Sequence, residues 1–563
     1  MASVVVLLAL GLGCARPDRS ARRPLAPERA LLADEAPAEA QTFETLRAIP
    51  AAGRLEGLRH PELGALQSDL DALYRKSDWG LLWIEQGRPS RAARELVSHL
   101  AKADAAGLRS EDYDAGALAR RLEALGPKTP VVEVAKLDAS LSIAALRNVS
   151  DLSIGRANPE RASVAIEVEG RSLDLASFVA RLAASSEPGA LLAKVEPASP
   201  RYLALRRALA RHRELAADAT KMPPPDLGKL RPGQRHPGVP RLRRWLATLG
   251  DLPAESAAGS SDHYGGEVVL GVERFQERHG LDADGVIGAT TMRALSVPIA
   301  ARARQLELAL ERWRWLPRSF SAPPIVVNVP EFRLYALDGP RGGDPIEMRV
   351  IVGKALETET PIFSGEMEYL VFRPYWNVPY SIVTKEMIPK LRSAPATLAR
   401  DQLEIVTGSG RVTTAVNAST LAGLASGAYG LRQRPGAQNS LGLVKFIFPN
   451  DENVYLHGTP AKGLFSRRRR DFSHGCIRVE DPVALAEHVL RGVPGWSRER
   501  IEAAMASGND RRVDLAEPIP VHVVYMTAVA SVGGQVSFFE DLYGHDAELA
   551  RELAGEPARV AAE

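Results

Sequence analysis

The chain has 563 residues, too many for one compact core and enough for three or four domains. Its 71 Lys and Arg nearly balance 69 Asp and Glu, for a formal net charge of +2, which excludes the general basic footprint of a nucleic-acid binder. The two cysteines, Cys14 and Cys476, are too few for a disulfide framework.

The one membrane-like run, residues 3–13 (SVVVLLALGLG), is too short to span a bilayer as a helix. It has the length and small-residue ending of a signal-peptide core, so 1–14 reads as an export signal ending at a lipidated Cys14. Gly11 stands where a lipobox usually has Leu, and no Lys or Arg precedes the run. Plain secretion or an uncleaved anchor are the alternatives. With Cys14 lipidated, Cys476 is a lone thiol, either inert and buried or working. Residues 15–42, rich in Pro, Ala, Arg and Glu, read as a disordered tether.

From 43 to 222 the apolar spacing is helical: Leu66, Leu70, Leu73 and Tyr74 recur, as do Leu141, Ala144, Ala145 and Leu152. No chemistry is visible there, and a helical scaffold with Trp79 and Trp83 in its core is the reading. After the Pro-rich break at 221–226 comes a compact unit, 229–297, with apolar helix faces punctuated by Gly280 and Asp284-Gly285. Its Phe275-Gln276 pair and Asp284-Gly-x-x-Gly288 turn resemble the small three-helix peptidoglycan-binding module of envelope hydrolases and transpeptidases. A helical spacer without ligand contacts is the alternative.

Beyond Gln305 the texture turns to short β-branched and aromatic runs separated by Pro and Gly, such as 325–329, 332–336, 348–353 and 442–448. The fold class expected is therefore multidomain α+β: helical scaffold, three-helix module, and a mainly β catalytic domain over 318–496. A helical and loop insertion at 381–430 reads as a lid. In 497–563, two strands, near 518–528 and 535–544, return to the sheet or the scaffold, and His522 is a strand residue there.

The informative residues are Tyr455-Leu456-His457-Gly458-Thr459 and Phe472-Ser473-His474-Gly475-Cys476-Ile477-Arg478-Val479. A thiol is little ionised at neutral pH, so a nucleophilic cysteine needs a base or a positive field nearby. Two histidines qualify: His474, two residues before Cys476, and His457, nineteen before. His457 would approach from a neighbouring strand, while an extended segment would point His474 the same way as Cys476. Gly475 lets a substrate come close to the backbone and leaves the Gly475 and Cys476 amides free for an oxyanion. A zinc site needs more ligands at tighter spacing, and none is expected.

Ser473-His474-Gly475-Cys476-Ile477-Arg478, preceded by His457-Gly458-Thr459, resembles the signature of the L,D-transpeptidase (YkuD-like) catalytic domain. Arg312-Trp-Arg-Trp-Leu-Pro317, Phe372-x-Pro-x-Trp376-Asn-Val-Pro379 and Arg434-Pro-Gly with Asn439-Ser-Leu-Gly442 resemble its large YcbB-like subgroup. The resemblance implies that Cys476 attacks the third residue of a donor tetrapeptide stem and expels D-Ala. It implies His457 as base, the Gly458 carbonyl orienting its ring, and amides near His474, Gly475 and Cys476 as oxyanion hole. A diaminopimelate amine then forms a 3→3 cross-link, with no metal, nucleotide or other cofactor.

Arg478 holds a substrate carboxylate or its own loop; Tyr455 and Trp376 line the donor pocket or simply pack. Ser473 reads as structural, and the run 467–470 as a solvated, mobile face or, alternatively, a specific site for the carboxylates that stem peptides carry. Expected partners are peptidoglycan stem peptides, a membrane through the lipid anchor, and penicillin-binding-protein or carboxypeptidase enzymes; the expected location is the cell envelope, in the periplasm. Water as acceptor would make an L,D-carboxypeptidase. A lipoprotein-attaching or D-amino-acid-exchanging relative and a non-catalytic scaffold are the other readings.

Overall fold

The computed structural model describes residues 32–159, 164–165, 173–219, 224–320, 322–337, 345–355 and 357–555. Cys14, the export signal and the tether up to residue 31 lie outside them.

Eight helices build the scaffold: α1 (Leu32–Ala52), α2 (Gln67–Lys76), α3 (Arg91–Leu100), α4 (Ala115–Glu123), α5 (Val131–Ile154), α6 (Leu175–Ala183), α7 (Pro188–Leu192) and α8 (Pro200–Ala219). A two-residue hairpin, β1 (Ile84–Glu85) with β2 (Arg88–Pro89), interrupts them. Helix α5 is buried on nearly every side between Ala135 and Leu152, polar Asp138, Ser142 and Asn148 included, which makes it the axis of the bundle. Trp83 and Tyr74 fill the core beside it, while Trp79 is half-buried and stacks on Tyr74. Residues 32–42, read above as tether, form the first half of α1. Farther along the helix, Leu46 and Ile49 reach the core.

The module consists of α9 (Val239–Leu249), α10 (Glu267–Glu277) and α11 (Ala289–Leu295) around Trp245, Tyr264 and Phe275. Buried Gln276 clamps the turn: its Nε2 donates to Val286 O (2.9 Å) and its Oε1 accepts from Gly285 N (2.9 Å). Helix α12 (Ile299–Trp315) then forms a spine packed on α8 and ending in the next core. Its charged residues Glu311, Arg312 and Arg314 are buried because each closes a contact between units. Glu311 accepts from Ala157 N at 2.9 Å, Arg314 reaches Ala106 O, and Arg312 pairs with Asp546.

The strands after the spine are β4 (Ile325–Asn328), β5 (Arg333–Ala336), β6 (Ile346–Gly353), β7 (Ile362–Phe372), β12 (Val444–Ile447), β13 (Leu456–His457), β14 (Asp471–Ser473), β15 (Ile477–Val479) and β16 (Arg511–Val524). The order β12-β13-β15-β6-β5-β4-β16-β7 is closed by β7–β12 pairing, so the sheet is a barrel. A two-residue strand, β3 (Val164–Ala165), joins β7 from outside. Leu334, Val350, Leu370, Phe446, Leu456, Ile477 and Val523 point inward to one core. β16 lies beyond the expected boundary at 496, yet it pairs in parallel with β4 and antiparallel with β7. The domain cannot close without it.

The insertion is larger than expected and has its own core. β8 (Trp376–Asn377), α13 (Tyr380–Ile382), α14 (Ile388–Ser393), α15 (Thr397–Arg400), β9 (Leu403–Val406), β10 (Val412–Thr413), α16 (Ala418–Ala425) and β11 (Gly430–Gln433) form it. A four-stranded sheet, β10-β9-β11-β8, backs a cluster of Val383, Leu391, Leu398, Ile405 and Leu431. The chain builds the insertion as a small subdomain of helices and strands. Helices α17 (Pro482–Val489) and α18 (Arg498–Ala506) plug the barrel. The hairpin β17 (Ala528–Ala530) with β18 (Val536–Phe538) packs on α8 and α12, and α19 (His545–Leu553) ends the fold. The expected strand 535–544 is thus only β18.

Candidate functional site

Alternation along β13 and β15 creates the site. Leu456 pairs with Ile477, both buried inside the barrel, so Tyr455, His457, Cys476 and Arg478 all project from its outer face. Lys445, opposite His457 on β12, joins them. Cys476 is partly exposed, and its thiol points to Asn453 O at 3.8 Å.

His457 Nδ1 lies 2.6 Å from Gly458 O. A carbonyl can only accept, so Nδ1 carries the hydrogen and Nε2 keeps its lone pair, as a base requires. Burial first, then the Arg478 charge, push its pKa down to about 3, against hydrogen bonds to the Gly458 and Leu441 carbonyls. Burial also raises the Cys476 thiol, opposed by Tyr455 and by the charges of Lys445 and Arg478. At neutral pH the pair is therefore neutral thiol and neutral imidazole. Two cations beside it favour negative charge on sulfur and disfavour a lasting imidazolium.

The backbone is fixed with equal care. Gly475 has φ +104°, a region that L side chains avoid. Its carbonyl accepts from Thr360 Oγ1 at 2.7 Å. Thr360 Oγ1 also accepts from Gly353 N (2.7 Å), and Tyr543 OH donates to Gly353 O (2.7 Å). Because a trans peptide sets C=O and N–H in opposite directions, holding the carbonyl on Thr360 turns the Cys476 N–H the other way. Among the described residues neither that amide nor the one of Gly475 donates elsewhere. Gly442 supports the base: it has φ +66°, and a Cβ there would meet the Gly458–Thr459 backbone at 2.6 Å. The segment after the insertion can therefore rest directly on His457-Gly458.

Of the residues picked out by sequence, Cys476, His457, Gly458, Gly475, Arg478 and Tyr455 meet here. Arg478 Nε is buried without a hydrogen-bond partner, and its guanidinium forms no ion pair with a carboxylate among the described residues. Tyr455 lies under the Lys445 ammonium, 3.7 Å from ring centre to Nζ, with its phenol toward Cys476. His474 turns to the insertion instead, its Nε2 2.6 Å from Glu386 Oε1, beside a cavity of about 490 Å3 between residues 354–358 and 381–386. Trp376 packs against the insertion's core. Buried Ser473 contributes its carbonyl, 3.0 Å from both Lys354 N and Thr358 Oγ1. In the run 467–470, Arg470 is no solvated residue: it is buried and donates to Val350 O and Phe332 O. His522 is buried in β16 against Ser364. Lys445 and Thr360 were missed. A lone cation in the apolar strand 443–447 was a signal for the first, and nothing local marks the second.

A model of the L,D-transpeptidase catalytic domain (YkuD) matches residues 323–496. A "Scaffold domain" model matches 68–209, and a "Putative peptidoglycan binding domain" model matches 235–295. A Haemophilus influenzae protein named "Putative L,D-transpeptidase" is 31% identical over 247 residues, 44% of this chain and 49% of that protein. The chain thus spans about half the length of this curated relative. Fold, site geometry and these matches converge: the chain carries an L,D-transpeptidase catalytic domain behind a peptidoglycan-binding domain and a scaffold domain.

Proposed function

We propose that the chain makes 3→3 cross-links in peptidoglycan by ping-pong acyl transfer through Cys476. The observation that carries the reading is the shared outer face of β13 and β15, where a thiol, an Nδ1-protonated imidazole and two cations stand together over an oriented amide. In this reading the Cys476 side chain rotates away from Asn453 O and hands its hydrogen to His457 Nε2, which the shared strand face puts on the same side of the sheet. Sulfur attacks the carbonyl of the stem's third residue, and the oxyanion takes the Cys476 N–H.

Collapse breaks the bond to D-Ala, whose nitrogen takes the proton held by His457. An imidazolium with a pKa depressed by burial, and then by the charges of Arg478 and Lys445, is a strong acid for that step. A side-chain amine of a second stem then attacks the thioester, His457 removes the amine proton, and the thiol is restored. Arg478 is placed to hold a stem carboxylate. The chain works in the cell envelope, with Cys14 as its lipid anchor.

The test is mass spectrometry of full-length protein with disaccharide-tetrapeptide, in wild type and Cys476→Ala. A Cys476-dependent dimer lighter by one D-Ala is expected. Tripeptide without dimer would make the enzyme a carboxypeptidase, and silence in both proteins would leave a non-catalytic scaffold.

A further inference from the structure

A cleft of about 620 Å3 is away from the nucleophile, where the module, the barrel and the C-terminal hairpin meet. One wall is the end of α10 and the turn after it, residues 277–283; the opposite wall is the loop 466–470 that leads into β14. A second cavity, about 330 Å3, continues it along α11 and shares His279, Leu281, Arg468, Phe539 and Glu540 with the first.

The chemistry of the walls is one-sided. Seven arginines and five carboxylates line the first cavity; the second adds Arg293 and Arg302 and no further acid. Most carboxylates are already engaged. Glu347 pairs with Arg333 at 2.5 Å, Glu331 accepts from Tyr335 and Asn328, and Glu540 lies 3.9 Å from Arg469. Glu277 and Asp282 remain, on the module's side. Arg278, Arg349 and Arg469 have carboxylate partners in Asp251, Glu480 and Asp471.

Five guanidiniums form no direct ion pair with a carboxylate among the described residues: Arg293, Arg302, Arg467, Arg468 and Arg470, the last with Glu480 near enough to oppose its shift. Arg302 touches only neutral acceptors, Gln305 Oε1 and Ala294 O, and stacks over Phe538. Arg470 is spent on backbone carbonyls. Burial pushes both down to about 10, aided by neighbouring arginines: Arg278 for Arg302, Arg333 and Arg349 for Arg470. Such crowding of like charge is costly unless an anion relieves it.

Arg333 and Arg349, paired across β5 and β6, lie on the same side of the barrel as Arg478, since Ile351, two residues along from Arg349, pairs with Arg478.

We propose that this cleft binds the stem-peptide carboxylates of a peptidoglycan strand, so that module and catalytic domain grip one polymer together. Forked guanidiniums suit carboxylates, and the walls exclude a neutral glycan as the main ligand. The identity of the ligand rests on the transpeptidase reading; the charge of the site does not.

Full-length protein carrying Arg293→Glu with Arg468→Glu is titrated with sacculi, and with sacculi stripped of stem peptides by an amidase. A scaffold pair, Arg88→Glu with Lys128→Glu, matches the change in net charge. The cleft variant is expected to bind intact sacculi about tenfold more weakly, to bind stripped glycan like wild type, and to lose part of the salt dependence. The scaffold pair should bind like wild type. Unchanged affinity, equal loss on both polymers, or displacement by inorganic phosphate as effective as by free tetrapeptide would overturn the proposal. Thermal melting checks the fold, and Arg293→Gln with Arg468→Gln replaces the reversal if it unfolds. Acyl-enzyme formation on Cys476 is scored in parallel. Stem-dependent binding without acylation would sink the transpeptidase reading and leave the cleft standing.

Discussion

Asp138 and Ser142 in the scaffold interior, and the cations on the outer face of the barrel, are buried polar groups with opposite surroundings. In the scaffold, Asp138 accepts from Tyr74 OH (2.7 Å), Leu82 N (3.0 Å) and Trp83 N (2.8 Å), and Ser142 accepts from Trp83 Nε1 (2.9 Å). Every partner is supplied by the chain. On the barrel, Arg478 Nε is buried with no acceptor, Lys445 faces only an aromatic ring, and His457 has Nε2 free for a proton. A polar group whose partners are all internal belongs to architecture. Cations left without an acceptor mark where negative charge arrives, on a ligand or in a transition state.

The comparison breaks most readily at His457. His457→Ala should slow acyl-enzyme formation by about 10^3-fold, the usual range for a lost general base, without lowering the melting temperature. Single-turnover mass spectrometry reads the rate. The pH profile sharpens the point. With its pKa held near 3 by burial and Arg478, His457 is neutral at pH 7 and stays so on acidification. Acylation should then be flat from about pH 7 to about pH 5, where an ordinary imidazole, with a pKa near 6.5, would be mostly charged. A half-loss near pH 6.5 would mean that an imidazole outside the buried face supplies the base.

Asp138→Ala tests the other side. It strands the Leu82 and Trp83 amides and the Tyr74 hydroxyl, for a loss of about 3 kcal/mol in the scaffold's unfolding by urea. Asp138→Asn should cost less. Burial raises this carboxyl to about 6, above its unfolded value of 3.8, so its contribution is fully present below pH 4 and is lost as pH rises through 6. The Asn variant should lack that slope. Folded Asp138→Ala protein that no longer acylates would contradict the division between architecture and site.

Thr360→Val removes the hydroxyl that holds the Gly475 carbonyl while keeping the volume. The expected result is a fall of about 30-fold in the acylation rate constant, with substrate affinity unchanged, because one amide loses its aim. A fall in affinity alone would assign Thr360 a purely structural role. Thr360→Ser should restore most of the rate.

These contrasts explain what could be read in the sequence. Cys476, His457, Gly458 and Gly475 were legible because their chemistry is local: a thiol, a base and a glycine in two short motifs. Lys445 and Thr360 reach the site only through pairing of β12 with β13 and through the turn between β6 and β7, which a linear pattern does not report. Trp376 was ambiguous because an aromatic in a strand buries itself equally well in a pocket or in the insertion's core. The scaffold helices announced themselves by spacing, except the start of α1, whose Pro, Ala and Glu carry no apolar period. β16 escaped the catalytic boundary because its partner, β4, lies almost two hundred residues earlier.

Arg478 gives the finest test, because the two sides of the comparison predict opposite things of it. If it served architecture, Arg478→Leu would destabilise the barrel, as the loss of a satisfied buried charge does. As a cation with a stranded Nε and no carboxylate, it should be replaceable at a cost within about 1 kcal/mol, and removing a buried charge can even stabilise. The loss should appear in substrate handling: KM for a tetrapeptide should rise about tenfold, and less for the same peptide amidated at its free carboxylates. The variant also relieves His457 of its nearest opposing charge, so the acid limb of the pH profile should move up, toward the ordinary imidazole value. A destabilised barrel with an unmoved acid limb would show that Arg478 holds its own loop, and the carboxylate of the substrate would have to be sought at Lys445.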